Sequence, residues 1–215
     1  MDFGSVFVYK QLLINGLITT LSLSAQAILG GTILGLIVGM LLTTKNKVMR
    51  IFLIAYVEVF RGCPLLMQLF MGYFGLSYLG FGISIQAATV GVFTLYGGAY
   101  IAEIMRSGIE SISRGQWEAA ECVGLSRIRT LTDVILPQAF KVSLPPLVGF
   151  YLGLIKDTSI ASIIGYSELL RESKAIMNIT GKPFETYVVV AVIYFMISFP
   201  FSKFVSWVER RAAAV

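Results

Sequence analysis

No histidine occurs in these 215 residues, which removes both a Ser-His-Asp triad and any imidazole-based metal site. Cysteine is nearly absent: Cys63 falls on a predicted span and Cys122 in a loop on the reducing side, so no disulfide is expected between them. Both are read as small apolar fillers. A Gly-x-x-x-x-Gly-Lys-Ser/Thr segment is also missing, because Gly181-Lys182 has no upstream glycine at the required spacing and is followed by Pro183. ATP hydrolysis through a P-loop is therefore excluded for this chain. No soluble domain, low-complexity linker or internal repeat is visible, and the last absence argues against transporters built from two related halves. Charge is scarce at 13%, and residues 11–44 contain none.

What remains is apolar. Hydrophobic residues make up 56% of the chain and the mean hydropathy is +0.81, values of a polytopic membrane protein. Crossing a bilayer core takes about 20 apolar residues. The first uncharged run exceeds that length, follows Asp2 rather than a basic start, and is read as a retained helix and not a cleaved signal. Five spans are predicted, over residues 12–43, 51–78, 85–108, 143–164 and 186–208, forming one all-α membrane domain over residues 1–215. Lys45, Lys47 and Arg50 follow the first span, Arg114, Arg127, Arg129 and Lys141 occupy the long loop, and Arg210 and Arg211 close the chain, whereas residues 76–86 carry no basic residue. The long loop and the C-terminus are therefore expected in the cytoplasm and the N-terminus outside. Arg171, Lys174 and Lys182 run against that bias on the outer side, offset by Glu168, Glu172 and Glu185. The net charge of +5 follows from this asymmetry and calls for no nucleic-acid partner.

Small residues recur at Gly31, Gly35 and Gly39, a spacing that bares backbone on one helix face. It serves either packing within the bundle or a dimer seam. The long loop between Ile112 and Pro146 is the polar exception in the chain. Ser113 and Gln116 have capping-box spacing, which predicts a short helix after Ser113. Gly124 is placed to end it in the left-handed region. Between them, Ala119 and Ala120 leave a helix face with little bulk, and Glu118 offers a charge to a cationic partner. Ser126 is expected to cap a second short helix that Pro137 stops or kinks. The pair forms either a docking knob or an amphipathic loop on lipid headgroups, the latter supported by Trp117, Arg127 and Arg129.

The order Glu118-Ala119-Ala120, three residues, Gly124, nine residues, Val134, one more, then Leu136-Pro137 resembles the EAA loop of ABC importer permeases. Isoleucine is usual in that family where Val134 stands. Further segments resemble the polar amino acid branch of these permeases: Asn15-Gly16-Leu17 with Thr20-Leu21, Glu-Val-Phe-Arg-Gly-Cys-Pro-Leu-Leu-Met-Gln over 58–68, Tyr-Ile-Ala-Glu-Ile-Met-Arg-Ser-Gly over 100–108, and Ile-Lys-Asp-Thr-Ser over 155–159. Cys63 stands where threonine is frequent. The likeness runs over nearly the whole chain. It implies a multi-pass cell-membrane permease subunit, without its own ATPase site, for histidine-, arginine- or glutamine-type substrates. It also implies a second permease subunit, identical or related, an external solute-binding protein, and an ATP-binding cassette ATPase that binds the ATP and Mg and couples through Glu118, Ala119, Ala120 and Gly124.

Ionisable residues within spans mark a pathway, since a charge at the bilayer centre costs about 2.5–3.5 kcal/mol on insertion scales. Glu58 and Arg61 lie three apart on one helix face and form either a structural ion pair or a substrate contact. Glu103 lies in the third span. Lys156 and Asp157 are about 100° apart in the fourth, cannot cancel each other, and are followed by the hydroxyls of Thr158 and Ser159. Arg106 is close enough to the cytoplasmic end to snorkel. Glu58, Glu103 and Asp157 against Arg61 and Lys156 leave three negative charges to two positive, which favours a zwitterionic or basic amino acid over an acidic one. An ion-coupled transporter or channel using the same carboxylates, or a membrane scaffold, are the alternatives.

Overall fold

A computed structural model describes residues 2–44 and 46–212; Lys45 and the side chains of Arg210 and Arg211, used above for orientation, lie outside what it describes. The chain is helical, with no strand among the described residues. A four-residue turn, α1 (Gly4–Phe7), precedes α2 (Lys10–Leu41), whose 32 residues extend about 48 Å and exceed the thickness of a bilayer core. Next come α3 (Lys47–Gly62) and α4 (Leu65–Tyr78), then α5 (Ile85–Glu110), the loop helix α6 (Arg114–Cys122), the long α7 (Arg127–Ile164), α8 (Leu169–Thr180) and α9 (Pro183–Ala212). Four helices are long and apolar enough to cross a membrane, and five spans result if α3 and α4 together make one.

The small-residue stripe of α2 is a seam inside the bundle. A Cβ built on Gly31 would lie 3.2 Å from the backbone of Gly97, one on Gly35 2.6 Å from the Ile101 side chain, and one on Gly39 3.0 Å from Met105. Bare backbone therefore lets α2 and α5 approach along most of their length, which decides the stripe in favour of packing within the chain. Leu23, Leu69, Phe93 and Leu154, all fully buried, fill the centre where α2, α4, α5 and α7 meet.

The second predicted span is broken rather than continuous: α3 and α4 meet at 109° around Cys63-Pro64. Pro64 has no N–H to donate, and its ring holds Cys63 extended at φ −99° and ψ 136°. Gln68 Nε2 donates to the carbonyls of Phe60 and Cys63, both at 2.8 Å, replacing the helix bonds lost at the break.

Proline acts differently at the start of α7. Ser126 accepts from the Arg129 amide at 3.4 Å as expected, but the helix does not stop at Pro137. It widens into a π turn over Thr130–Ile135, and Pro137 falls in the first turn of the α-helical stretch Leu136–Asp157, where a missing N–H is tolerated. The second short helix is thus the beginning of the fourth span. At its other end α7 tightens into a 3-10 turn over Thr158–Ile164 and stops at Gly165, φ +99°. The flank of α9 formed by Val192, Phe195, Met196 and Phe199 is exposed, the pattern of a lipid-facing helix.

Candidate functional site

At one end of the bundle, α6 packs through Trp117 against Ile109, Ile135 and Ala139. Gly124, at φ +76°, ends the helix as its sequence position predicted. The capping box does not form. Ser113 makes no side-chain cap, and the Gln116 side chain instead accepts from Gln138 Nε2 at 3.2 Å, tying α6 to the root of α7. Glu118 and Ala119 are exposed, whereas Ala120 is 4% exposed and faces the chain's own interior. The low-bulk face open to a partner is therefore narrower than the Ala119-Ala120 pair suggested. Cys122 is exposed, and Cys63 borders an apolar cavity of about 440 Å³ between α4 and α5.

Further into the bundle the charged residues pair across helices, but not as their spacing suggested. Arg61 reaches Glu103 on α5 at 3.5 Å and forms no ion pair with Glu58. Arg106, expected to snorkel, bonds Glu103 through Nε at 2.8 Å and Nη2 at 2.6 Å, and Glu110 through Nη1 at 2.6 Å. Arg61, Glu103, Arg106 and Glu110 thus form one ladder, with Glu58 exposed beside it. A cleft of about 330 Å³ lined by Arg61, Glu103, Ser107 and Ser143 opens on one side of the ladder.

Sequence reasoning missed the aromatic stripe above this ladder. The Arg61 guanidinium lies 5.7 Å from the Tyr100 ring centroid, Tyr100 stacks on Phe150 at 5.2 Å, and Tyr96 lies 4.7 Å from Tyr100 and 6.2 Å from Phe150. Tyr151 is fixed by a 2.7 Å hydrogen bond between its hydroxyl and Thr32 Oγ1. The i,i+4 spacing of Tyr96 and Tyr100 was the available signal. Asp157 follows Phe150 by seven residues, two turns along the same face of α7. On the adjoining stripe of α7, Gly149 and Gly153 have no atom of another element within 4 Å of a built Cβ, so this stripe is open, while Phe150 beside it packs on Tyr96 and Tyr100.

Lys156 is exposed and Asp157 partly buried; neither forms an ion pair among the described residues. The Thr158 and Ser159 hydroxyls donate to the carbonyls of Ile155 at 2.6 Å and Lys156 at 2.8 Å, closing the 3-10 turn. The predicted pathway set therefore forms two groups joined by aromatic rings: Glu58, Arg61 and Glu103 at one level, and 156–159 at the far end of α7.

A second omission is Glu168, read from sequence only as an offset to loop cations. It is fully buried. The Leu170 and Arg171 amides donate to its carboxylate at 3.0 and 2.8 Å, which caps α8, and the Tyr194 hydroxyl donates at 3.1 Å. Burial pushes this carboxyl above the usual range, against the opposing pull of those donors. An acidic residue just before the amphipathic stretch Leu169–Thr180 was the sequence signal for a cap.

A bundle of apolar spans with a helical hairpin at one end and an open, charged and aromatic face along one helix is the architecture of a membrane transport subunit. The chain belongs to the family of binding-protein-dependent transport system inner membrane components, which matches residues 13–214. It is thus a multi-pass inner-membrane permease of the ABC type, whose ATPase is a separate subunit. It is 38% identical to the probable amino-acid ABC transporter permease YckA of Bacillus subtilis (strain 168), over 93% of this chain and 88% of that protein. It is also 35% identical to the probable glutamine ABC transporter permease GlnM of the same organism, over 98% of each. The crystal structure of an amino acid ABC transporter with histidines superposes with a TM-score of 0.93 at 38% identity, covering 98% of this chain and 99% of that one. The resemblance read from the EAA loop is borne out.

Proposed function

We infer that the chain, as a single membrane domain over residues 1–215, is the permease subunit of an importer for a polar L-amino acid. The observation that carries this reading is the face joining the Arg61–Glu103 ladder, the Tyr96, Tyr100 and Phe150 rings, and Asp157. Asp157 is the acceptor for an ammonium group, Arg61 the donor for a carboxylate, and the rings hold the body of the solute between them. Lys156, Thr158, Ser159 and Glu58 border the same route. Because Gly149 and Gly153 leave one wall open, a second permease subunit completes the pathway.

Counting Arg106 and Glu110, which the ladder ties to Glu103, leaves the excess at one negative charge, with Glu58, Glu103, Glu110 and Asp157 against Arg61, Arg106 and Lys156. That slight excess supports a zwitterionic or basic substrate, glutamine, arginine, lysine or histidine, over an acidic one, and the relatives named for glutamine and the neighbour solved with histidines fall in the same range. The long loop and C-terminus lie in the cytoplasm and the N-terminus outside, where a solute-binding protein delivers the amino acid. An ATP-binding cassette subunit, holding ATP and Mg, docks on the exposed Glu118 and Ala119, with Ala120 and Gly124 shaping the helix behind them. Its closure moves α6 as a lever and shifts the bundle between inward-open and outward-open states.

Uptake into proteoliposomes tests the assignment. The assembled transporter should accumulate radiolabelled glutamine, arginine or histidine only with ATP, and accumulation driven by an ion gradient without the ATPase would overturn it.

A further inference from the structure

Where the loop hairpin meets the ends of α2, α3 and α5, a cleft of about 300 Å³ is lined by Arg50, Arg106, Arg114, Arg127, Glu110 and Trp117. Glu110 and Glu103 neutralise Arg106. Arg50, Arg114 and Arg127 have no ion pair among the described residues, so three guanidinium groups from three segments converge on one cleft whose carboxylate, Glu110, is paired with Arg106. Its floor is apolar, made by Leu42, Ile109 and Ile112. The helix that carries Arg50 also exposes Ile51 at 64% and, one turn on, Ile54 at 40%, both within about 100° of Arg50 around the helix. Helix α6 starts at Arg114, and its first turn has no side-chain cap.

We propose that this cleft binds the phosphate of an anionic phospholipid from the adjoining leaflet. Guanidinium groups match phosphate oxygens in bidentate geometry, and an indole at the rim suits the headgroup level. The acyl chains then lie along Ile51 and Ile54. An acidic protein partner would satisfy the arginines but would leave that apolar flank uncovered, which is why the lipid fits better. A phosphate held here links Arg114, the first residue of α6, and Arg127, the first residue of α7, to the first turn of α3, so lipid occupancy braces the hairpin. The inference concerns binding and goes beyond the transport reading; only the bracing rests on it.

Native mass spectrometry of the assembled transporter, stripped of lipid and titrated with phosphatidylglycerol or phosphatidylcholine, tests the site. Wild type should retain phosphatidylglycerol about tenfold better, an R50Q/R114Q/R127Q variant should lose that preference, and the matching arginine-to-lysine variant should stay within about threefold of wild type. Should the triple glutamine variant fail to assemble, Arg127→Gln alone, an exposed side chain, should lower retention about threefold. Equal retention of both lipids, or a preference unchanged in the glutamine variants, overturns the proposal. Displacement of the lipid by millimolar inorganic phosphate assigns the cleft to a soluble anion instead. Release of the ATPase from the triple variant with lipid retention intact assigns the arginines to that subunit. Glu118→Lys separates the two readings, since it should disturb coupling and leave lipid retention at the wild-type level.

Discussion

Glycine lines two faces of this bundle to opposite ends. On α2, Gly35 is buried so closely against α5 that a methyl group has no room, and Gly31 and Gly39 leave it little, whereas Gly149 and Gly153 on α7 look into open space. In the first case the absent side chain allows two helices of one chain to touch. In the second it keeps a surface clear beside the packed rings of Tyr96, Tyr100 and Phe150, which lie between the Arg61–Glu103 pair and Asp157. Local spacing does not distinguish them: Gly35-Gly39 and Gly149-Gly153 have the same i,i+4 interval. What differs is whether a neighbouring helix lies opposite, and that depends on how the whole chain packs.

The contrast breaks most sharply at Gly35. Gly35→Leu drives carbon into Ile101 and should destabilise the bundle by about 3 kcal/mol or more, seen as loss of monodisperse protein in detergent chromatography. Recovery of well-folded protein from this variant would show that the α2–α5 contact is looser than described. Gly153→Leu should fold with a wild-type melting profile and yet reduce ATP-driven uptake about tenfold, because it occupies the open wall. Unaltered uptake would place the pathway elsewhere.

A similar contrast runs through the loop hairpin, where Trp117 and Ala120 turn inward and the residues around them are exposed. Glu118→Lys reverses an exposed charge and should leave insertion normal while cutting uptake and substrate-stimulated ATPase activity about tenfold. Gly124→Leu should act in the same direction, since its φ of +76° is disfavoured for a side chain by about 1–2 kcal/mol. Normal coupling in both variants would remove the docking role from α6. Along the open face, Asp157→Asn should weaken uptake of arginine about threefold more than uptake of glutamine, read from competition assays on the variant. Equal losses would mean that Asp157 contacts only the ammonium group shared by both.

The smallest effect is expected at Glu168. Its pKa is raised by burial, so the folded chain keeps a proton over a pH window in which the unfolded chain has released it. Stability linked to this group is therefore present below the ordinary carboxylate range and is lost as pH rises through the raised value. Glu168→Gln should flatten that dependence, with a shift of about 2–4 °C or less in unfolding midpoint between wild type and variant across the window. A wild type whose midpoint instead rises through the window would contradict the direction.

Composition and run length were enough to establish a helical membrane protein and the approximate positions of its spans, because a bilayer imposes a length and a polarity on any segment that crosses it. The EAA order marked the exposed hairpin, and Gly124 was recognisable because a helix end is decided by a few adjacent residues. Interactions between distant segments were not legible. Arg61 meets Glu103 instead of Glu58, Arg106 joins the ladder instead of reaching outward, and Gln116 bonds Gln138 instead of capping its own helix. Pro64 breaks a span while Pro137 leaves one intact, since the first is at a junction where Gln68 gathers the freed carbonyls and the second falls in the opening turn of an α-helical stretch. Sequence alone thus determined the class of protein, the approximate positions of its spans and its exposed loop helix, all of which follow from local polarity and chain direction. Which charges pair, which glycines are closed and which are open, and where Glu168 is buried were decided only by tertiary structure, because each depends on what a helix far away in the chain places opposite.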